Sequence, residues 1–304
     1  MRILVVGGSG LIGTHVVGVL RGRGHPVTTV ARTAQPGVDH LLDLESAAID
    51  DLRPLLAGHD GVVLATRADE QRVLPRPIHP LLRRELVDPV VRLFTAAREE
   101  GLTRGVVMGS YYTHFDRLHP RWRLTTRHSY IRCRWEQARE GRAAAGPDLP
   151  VTVLELPFVF GRTGDRLPNW AGPLDRWARS RAPLAVPVGG TAAASARSVA
   201  EVAVDALEQA RGEDVPVADE NLTWAAMMGR IADAVGRPRR VGRLPAPVVR
   251  ASLGCGGLLH GLARREAGLN PTHLGDLLLA EMFITPTTGR SLEPALRATF
   301  APTT

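Results

Sequence analysis

Arg2-Ile3-Leu4-Val5-Val6-Gly7-Gly8-Ser9-Gly10-Leu11-Ile12-Gly13, "RILVVGGSGLIG", decides the reading of the fold. Arg2 to Val6 is a short, continuous apolar run, the pattern of a strand buried on both faces. Gly7, Gly10 and Gly13 follow at GxxGxxG spacing, and a helical pattern runs on from about Leu11 to Arg23. A dinucleotide pyrophosphate needs a tight turn, a backbone it can approach closely, and helix N-terminal amides aimed at the anion. Glycine meets the first two demands because it has no Cβ. The strand before and the helix after are the context this motif requires. Gly7, Gly10, Leu11, Ile12 and Gly13 are therefore candidate phosphate-binding residues; the plainer alternative is a strand-to-helix loop without a ligand.

Working outward, strand and helix signals alternate. "VTTVA" (Val27 to Ala31), "DHLLDL", a helix near Glu45 to Ala57, and "GVVLAT" (Gly61 to Thr66) come next. Further strands are "GVVM" (Gly105 to Met108) and "VTVLEL" (Val151 to Leu156), with long helices at about Leu81 to Glu100 and Tyr130 to Ala144. This alternation predicts an α/β fold, a Rossmann-like doubly wound parallel sheet. Past Gly161 the chain is interrupted by Pro168, Pro173, Pro183 and Pro187, and helical periodicity dominates. We expect a dinucleotide-binding domain over 1–160 and a smaller, mostly helical substrate region over 161–304, with about 191–212 packing back on the first domain.

Composition excludes several classes. With 44% hydrophobic and 23% charged residues, the 304-residue chain is ordinary globular material. No apolar run reaches membrane-spanning length and the N-terminus lacks the features of a secretory signal, so a cytoplasmic protein with no membrane partner is expected. The charge of +7 rests entirely on arginine, since the sequence contains no lysine. Those arginines are scattered among 31 acids, which fits a G- and C-rich genome better than a nucleic-acid footprint, and no nucleic-acid partner is expected. Cys133 and Cys255 show no metal-ligand spacing, and no metal is expected.

Cofactor choice is read after the second strand, where an acid would bind the ribose 2′-hydroxyl and a base the 2′-phosphate. Arg32 occupies that place, which favours NADP(H) over NAD; the alternative is one more solvated arginine. Asp43 is placed to meet the adenine edge or to cap a helix. Ala65, Thr66 and Arg67, at the end of "GVVLAT", are further candidate cofactor contacts.

These residues, with "DGVVLAT", "GVVMGSYY", Tyr130 at the head of a helix and "LPVTVLELPFVFG" (Leu149 to Gly161), resemble the extended branch of the short-chain dehydrogenase/reductase superfamily over nearly the whole chain. The resemblance implies that Tyr130 exchanges a proton with the substrate oxygen while the nicotinamide exchanges hydride at carbon. It also implies a lysine four residues later and a serine or threonine after the fifth strand. In "SYIRCR" the lysine position is held by Arg134, and the hydroxyl position falls on Tyr111, with Ser110 just before it. Arginine stays charged and presents a planar fork, so it stabilises a tyrosinate and bonds a ribose hydroxyl but relays no proton. A tyrosine without that relay is a better acid than base, which points to reduction. Pro157 and Phe158 match the loop beside the nicotinamide carboxamide. Phe160 reads as core; Phe158 and Trp170 are open between core and cleft. His114 and His128 are spare acids by position and surface residues by habit.

The expectation is an NADP(H)-dependent ketoreductase acting on a small organic ketone, in a tailoring step of secondary metabolism by analogy with polyketide and deoxysugar enzymes, and hence in antibiotic biosynthesis. A nucleotide-sugar epimerase or dehydratase and a non-catalytic NADP(H)-binding regulator are the alternatives. Monomer and homodimer both remain open.

Overall fold

Along β1 (Ile3–Val6) the side chains alternate between two buried faces, and that alternation sets the layers. The computed structural model describes residues 1–66 and 73–301. After β1 come α1 (Leu11–Gly22), β2 (Val27–Ala31), β3 (His40–Leu41), α2 (Ile49–Leu56), β4 (Gly61–Leu64), β5 (Val73–Pro75), α3 (His79–Leu86) and α4 (Asp88–Glu99). The chain continues through β6 (Arg104–Met108), α5 (Tyr111–Leu118), α6 (Leu124–Arg127), α7 (Ser129–Ala145) and β7 (Val151–Glu155). Beyond these lie β8 (Phe158–Phe160), α8 (Ala171–Arg179), β9 (Leu184–Val186), β10 (Gly190–Ser195), α9 (Ala196–Gln209) and β11 (Asp214–Pro216). The remainder is β12 (Glu220–Thr223), α10 (Trp224–Ala234), β13 (Val241–Arg243), α11 (Ala246–Leu262), β14 (Arg265–Ala267), α12 (Pro271–Leu279), β15 (Glu281–Met282) and α13 (Glu293–Phe300).

Seven strands form one parallel sheet in the order β11-β7-β6-β4-β1-β2-β3. Leu4, Val6, Val62, Leu64, Val107 and Val151 pack on one face with buried residues of α2 and α4, such as Leu52, Leu93 and Phe94. Ile3, Val5, Val63, Val106 and Leu154 pack on the other with α1 and α9, through residues such as Val16, Leu20, Val199 and Leu207. This is the Rossmann-like α/β fold. Both edges are short: β3 has two residues, and β11 carries Pro216, which suits a strand with one unpaired side.

One expectation needs correction. The helix read as continuous over 81–100 is broken between α3 and α4, because Pro89 has no N–H to offer the turn before it. In the C-terminal region helices carry most of the regular structure, with short strands among them. This region contains a second sheet, β12-β10-β15 with β8 pairing β10, around a core that includes Phe160, Trp170, Trp224 and Phe300. Among the described residues no helix is long and apolar enough to cross a membrane.

Candidate active site

A cleft of about 670 Å³ opens at the carboxyl ends of the parallel strands. β1 leads to its neighbours on opposite sides, β2 on one and β4 on the other, so the cleft sits at the switch point where open α/β sheets bind ligands. Its walls include Gly7, Gly10, Leu11, Ile12, Arg32, Asp43, Ala65, Thr66, Ser110, Tyr111, Tyr130, Arg134, Pro157 and Phe158. Of the residues picked from sequence, Gly13 lies behind the wall and Arg67 falls outside the described residues.

The end at the glycine turn is built from backbone. Gly7 has φ +85°, and a Cβ there would lie 2.7 Å from the Ala65 carbonyl oxygen. At Gly13 a Cβ would lie 2.1 Å from the Gly7 carbonyl oxygen, so this glycine lets α1 close on the turn. No side chain caps α1, and its first turn carries no acid. Its leading amides are thus left for an anion.

Arg32 is exposed on the cleft wall, and among the described residues it makes no hydrogen bond or ion pair. The acid closest in sequence, Asp39, is committed elsewhere: it accepts from Thr29 N and Thr29 Oγ1, both at 2.8 Å, and these bonds hold its carboxyl below the usual range. Asp43 lines the cleft but caps no helix, since α2 begins only at Ile49. Its Oδ1 instead accepts from Glu45 N at 3.2 Å, closing a local turn.

The opposite end is built from side chains. Tyr130 stands at the start of α7, whose Tyr130 N donates to Gly268 O at 2.9 Å. One turn later, buried Arg134 donates from Nε to the Tyr130 hydroxyl at 3.0 Å, and its guanidinium carbon lies 5.3 Å from the ring centre. Arg134 Nη1 donates to Met108 O at 3.0 Å and to Gln137 Oε1 at 2.8 Å. Nη2 donates no hydrogen bond among the described residues, so one arm of the fork is available to the cleft that Arg134 lines.

α5 carries Tyr111 and follows Ser110. It is fixed by Glu155, fully buried on β7, which accepts from Thr113 Oγ1 at 2.6 Å and from both Arg117 nitrogens at 2.8 and 2.7 Å. Tyr111 Oη meets Thr191 Oγ1 at 3.0 Å, and Thr191 Oγ1 donates to Ala192 O at 2.9 Å. A hydroxyl has one proton, so Tyr111 is the donor to Thr191. Ser110 lines the cleft, and its Oγ makes no hydrogen bond among the described residues. Of the two hydroxyls read from sequence, Ser110 is the one left for a substrate.

Neither spare histidine reaches the cleft. His114 lies 3.5 Å from Glu155, and burial lowers its pKa. His128 is a buried residue, not a surface one: its Nδ1 accepts from Asn270 N at 3.0 Å, and burial pushes its pKa down to about 4. Sequence reasoning missed Glu85, Arg166 and Asn169, which also line the cleft. Arg166 and Asn169 arrive from the loop before α8, where no motif marks them. Phe158 and Trp170 serve as both core and wall, while Phe160 is entirely core.

Residues 7–210, well over half of the chain, match the model of a family described as NAD(P)H-binding. The chain belongs to that family. As an NAD(P)H-binding protein it is 27% identical, over 310 residues, to a 3-diazoavenalumate denitrifying reductase of a Streptomyces species, covering 90% of this chain and 97% of that one. Its fold is shared with a human epimerase family protein crystallised with NADPH (TM-score 0.63, 18% identity, 99% of each chain). It is shared also with a UDP-N-acetylglucosamine 4-epimerase from Bacillus cereus (TM-score 0.62, 18% identity, 80% of this chain and 87% of that one). The Rossmann-like fold expected from the motifs is the one found, shared with these epimerase-family structures, and the chain carries an NAD(P)H-binding domain.

Proposed function

We propose that this protein is an NADPH-dependent reductase that converts a ketone on a small, flat organic substrate to an alcohol, as a tailoring step of secondary metabolism. The observation that carries the reading is the 3.0 Å bond from Arg134 Nε to the Tyr130 hydroxyl at the cleft wall. The tyrosine oxygen accepts from a permanent cation, which stabilises the phenolate left when the tyrosine gives up its proton.

The residues fit the cofactor: the glycine turn leaves a cradle that a Cβ would fill, and Arg32, unpaired among the described residues, is a guanidinium where a 2′-phosphate would lie. Bound NADPH would supply the hydride. Gly7, Gly10, Leu11 and Ile12 would hold the pyrophosphate, Arg134 Nη2 the nicotinamide ribose, and Pro157 and Phe158 the carboxamide side. Tyr130 protonates the alkoxide, Ser110 donates to the carbonyl oxygen, and Tyr112 and Trp170 flank the substrate space.

The test is turnover of a panel of aryl ketones and quinones with NADPH, wild type against Tyr130→Phe. A loss of at least about a hundredfold in kcat with unchanged NADPH affinity supports the role. A second reading follows from the Streptomyces relative: hydride passes to an aryl diazonium, giving the arene and dinitrogen. That step needs no proton, so Tyr130→Phe would be nearly silent and labelled dinitrogen would be released. Cofactor binding without turnover on either substrate class would favour a regulator, and cofactor-independent turnover of a sugar nucleotide on retained NAD⁺ an epimerase.

A further inference from the structure

Arg134 is longer than the lysine it replaces and must be held in one rotamer for Nε to face Tyr130. The break between α3 and α4 supplies the means. In an unbroken helix the Leu86 carbonyl would take the Val90 amide, but Val90 N donates to Val87 O instead, at 3.0 Å. The freed Leu86 oxygen accepts from Gln137 Nε2 at 2.8 Å, and Gln137 Oε1 accepts from Arg134 Nη1 at 2.8 Å. Only one orientation of the amide satisfies both neighbours, since arginine has no acceptor and a carbonyl no donor. Gln137 is itself buried, so both bonds are shielded from water.

We infer that Gln137 is a positioning residue for the reaction: through Leu86 it clamps the Arg134 fork so that Nε–H points at the Tyr130 hydroxyl and lowers the energy of the tyrosinate. Resting on the reductase reading above, the inference assigns a device that lets arginine serve in the lysine position. It follows that Arg134 and Gln137 act as a unit, and that Gln137 has no function when residue 134 is too short to reach it.

The chain contains three tyrosines, Tyr111, Tyr112 and Tyr130. In a Tyr111→Phe, Tyr112→Phe background, the ultraviolet absorbance of tyrosinate therefore titrates Tyr130 alone, whether or not a substrate is known. Gln137→Glu, which sets a carboxylate against the fork, and Gln137→Met, which removes the acceptor at similar volume, are both expected to raise the Tyr130 midpoint, by about one pH unit. In an Arg134→Lys background, Gln137→Met is expected to move it no further. A midpoint unchanged by both Gln137 variants, while Arg134→Gln raises it, would overturn the inference and leave Gln137 as packing. A midpoint unmoved even by Arg134→Gln would show instead that the Arg134–Tyr130 coupling beneath the reductase reading is absent. Should Gln137→Glu fail to fold, Gln137→Met decides alone.

Discussion

The two ends of the cleft achieve precision by opposite means. At the glycine turn the cleft is shaped by backbone: a turn with φ +85° at Gly7, a helix start with no side-chain cap, and space that exists only because Cβ atoms are missing. At the tyrosine end the backbone is ordinary helix, and the arrangement is made of side chains: a chain of hydrogen bonds from Leu86 O through Gln137 to Arg134, which Met108 O also holds, and on to Tyr130. The first arrangement has no room for an added atom at Gly7 or Gly13. The second is made of donors and acceptors on side chains. On the reading proposed above, Arg134 takes the place of a lysine at this second end, where a relay can be rebuilt from different parts, whereas a missing Cβ has no substitute.

The sharpest way to break this contrast is Gly13→Val. The Cβ contact of 2.1 Å falls on backbone that cannot move without opening the turn. A stability loss of about 3 kcal/mol or more is expected in chemical denaturation, together with loss of detectable NADPH binding in fluorescence titration. Arg32→Ala comes next, as the one side-chain contribution expected at the backbone-built end. NADPH affinity should fall by about tenfold to a hundredfold while NADH affinity stays put. If both cofactors weaken equally, Arg32 is not reading the 2′-phosphate.

At the other end the two neighbouring hydroxyls should separate. Ser110→Ala is expected to reduce kcat for ketone reduction about tenfold or more. Tyr111→Phe, whose proton goes to Thr191, should leave kcat nearly unchanged and lower Tm by about 2 °C. The reverse ranking would return the carbonyl to Tyr111.

The last comparison concerns pH. His128, two residues before Tyr130, has its folded pKa depressed to about 4 by burial, with the His273 and Arg127 charges adding to the shift and Asp276 opposing it. Between its ordinary value of 6.5 and about 4, the unfolded chain binds the extra proton and the native one does not. The stability from a neutral His128 is therefore complete above about 6.5 and is lost progressively as pH falls toward 4. Protonation would also cost the bond in which Nδ1 accepts from Asn270 N. Melting curves across this range should be flatter for His128→Gln, by up to about 3 kcal/mol at the acid limit. The phosphate turn, holding no titrating group among its glycines, contributes nothing to that slope.

The same contrast explains what could be read beforehand. Gly7, Gly10 and Gly13 lie in one unbroken stretch, so the turn, its strand and its helix are visible together. β1, β4, β6 and β7 were legible because strands buried on both faces must be apolar throughout. β10 was not: "GTAAAS" has no β-branched run beyond Thr191, and its strand conformation comes from pairing with β8, β12 and β15, all distant in sequence. Tyr130 and Arg134 stood out through their four-residue spacing, and Gln137 lies on the same helix, yet its role depends on a carbonyl freed by Pro89 far upstream. Thr191, which takes the proton of Tyr111, is 80 residues away from it. Contacts that only tertiary folding creates leave no local trace.

The position of β11 at the edge of the main sheet bears on how the chain is made. β7 must wait beside β6 with one side open until the ribosome has delivered β8 through α9 and the strand ending at Pro216. During that interval the emerging polypeptide presents a bare row of main-chain donors and acceptors to any neighbour. Synthesis stalled or terminated before Pro216 would release a chain with that adhesive border exposed, so the hazard of aggregation lies in the partial products and not in the finished protein.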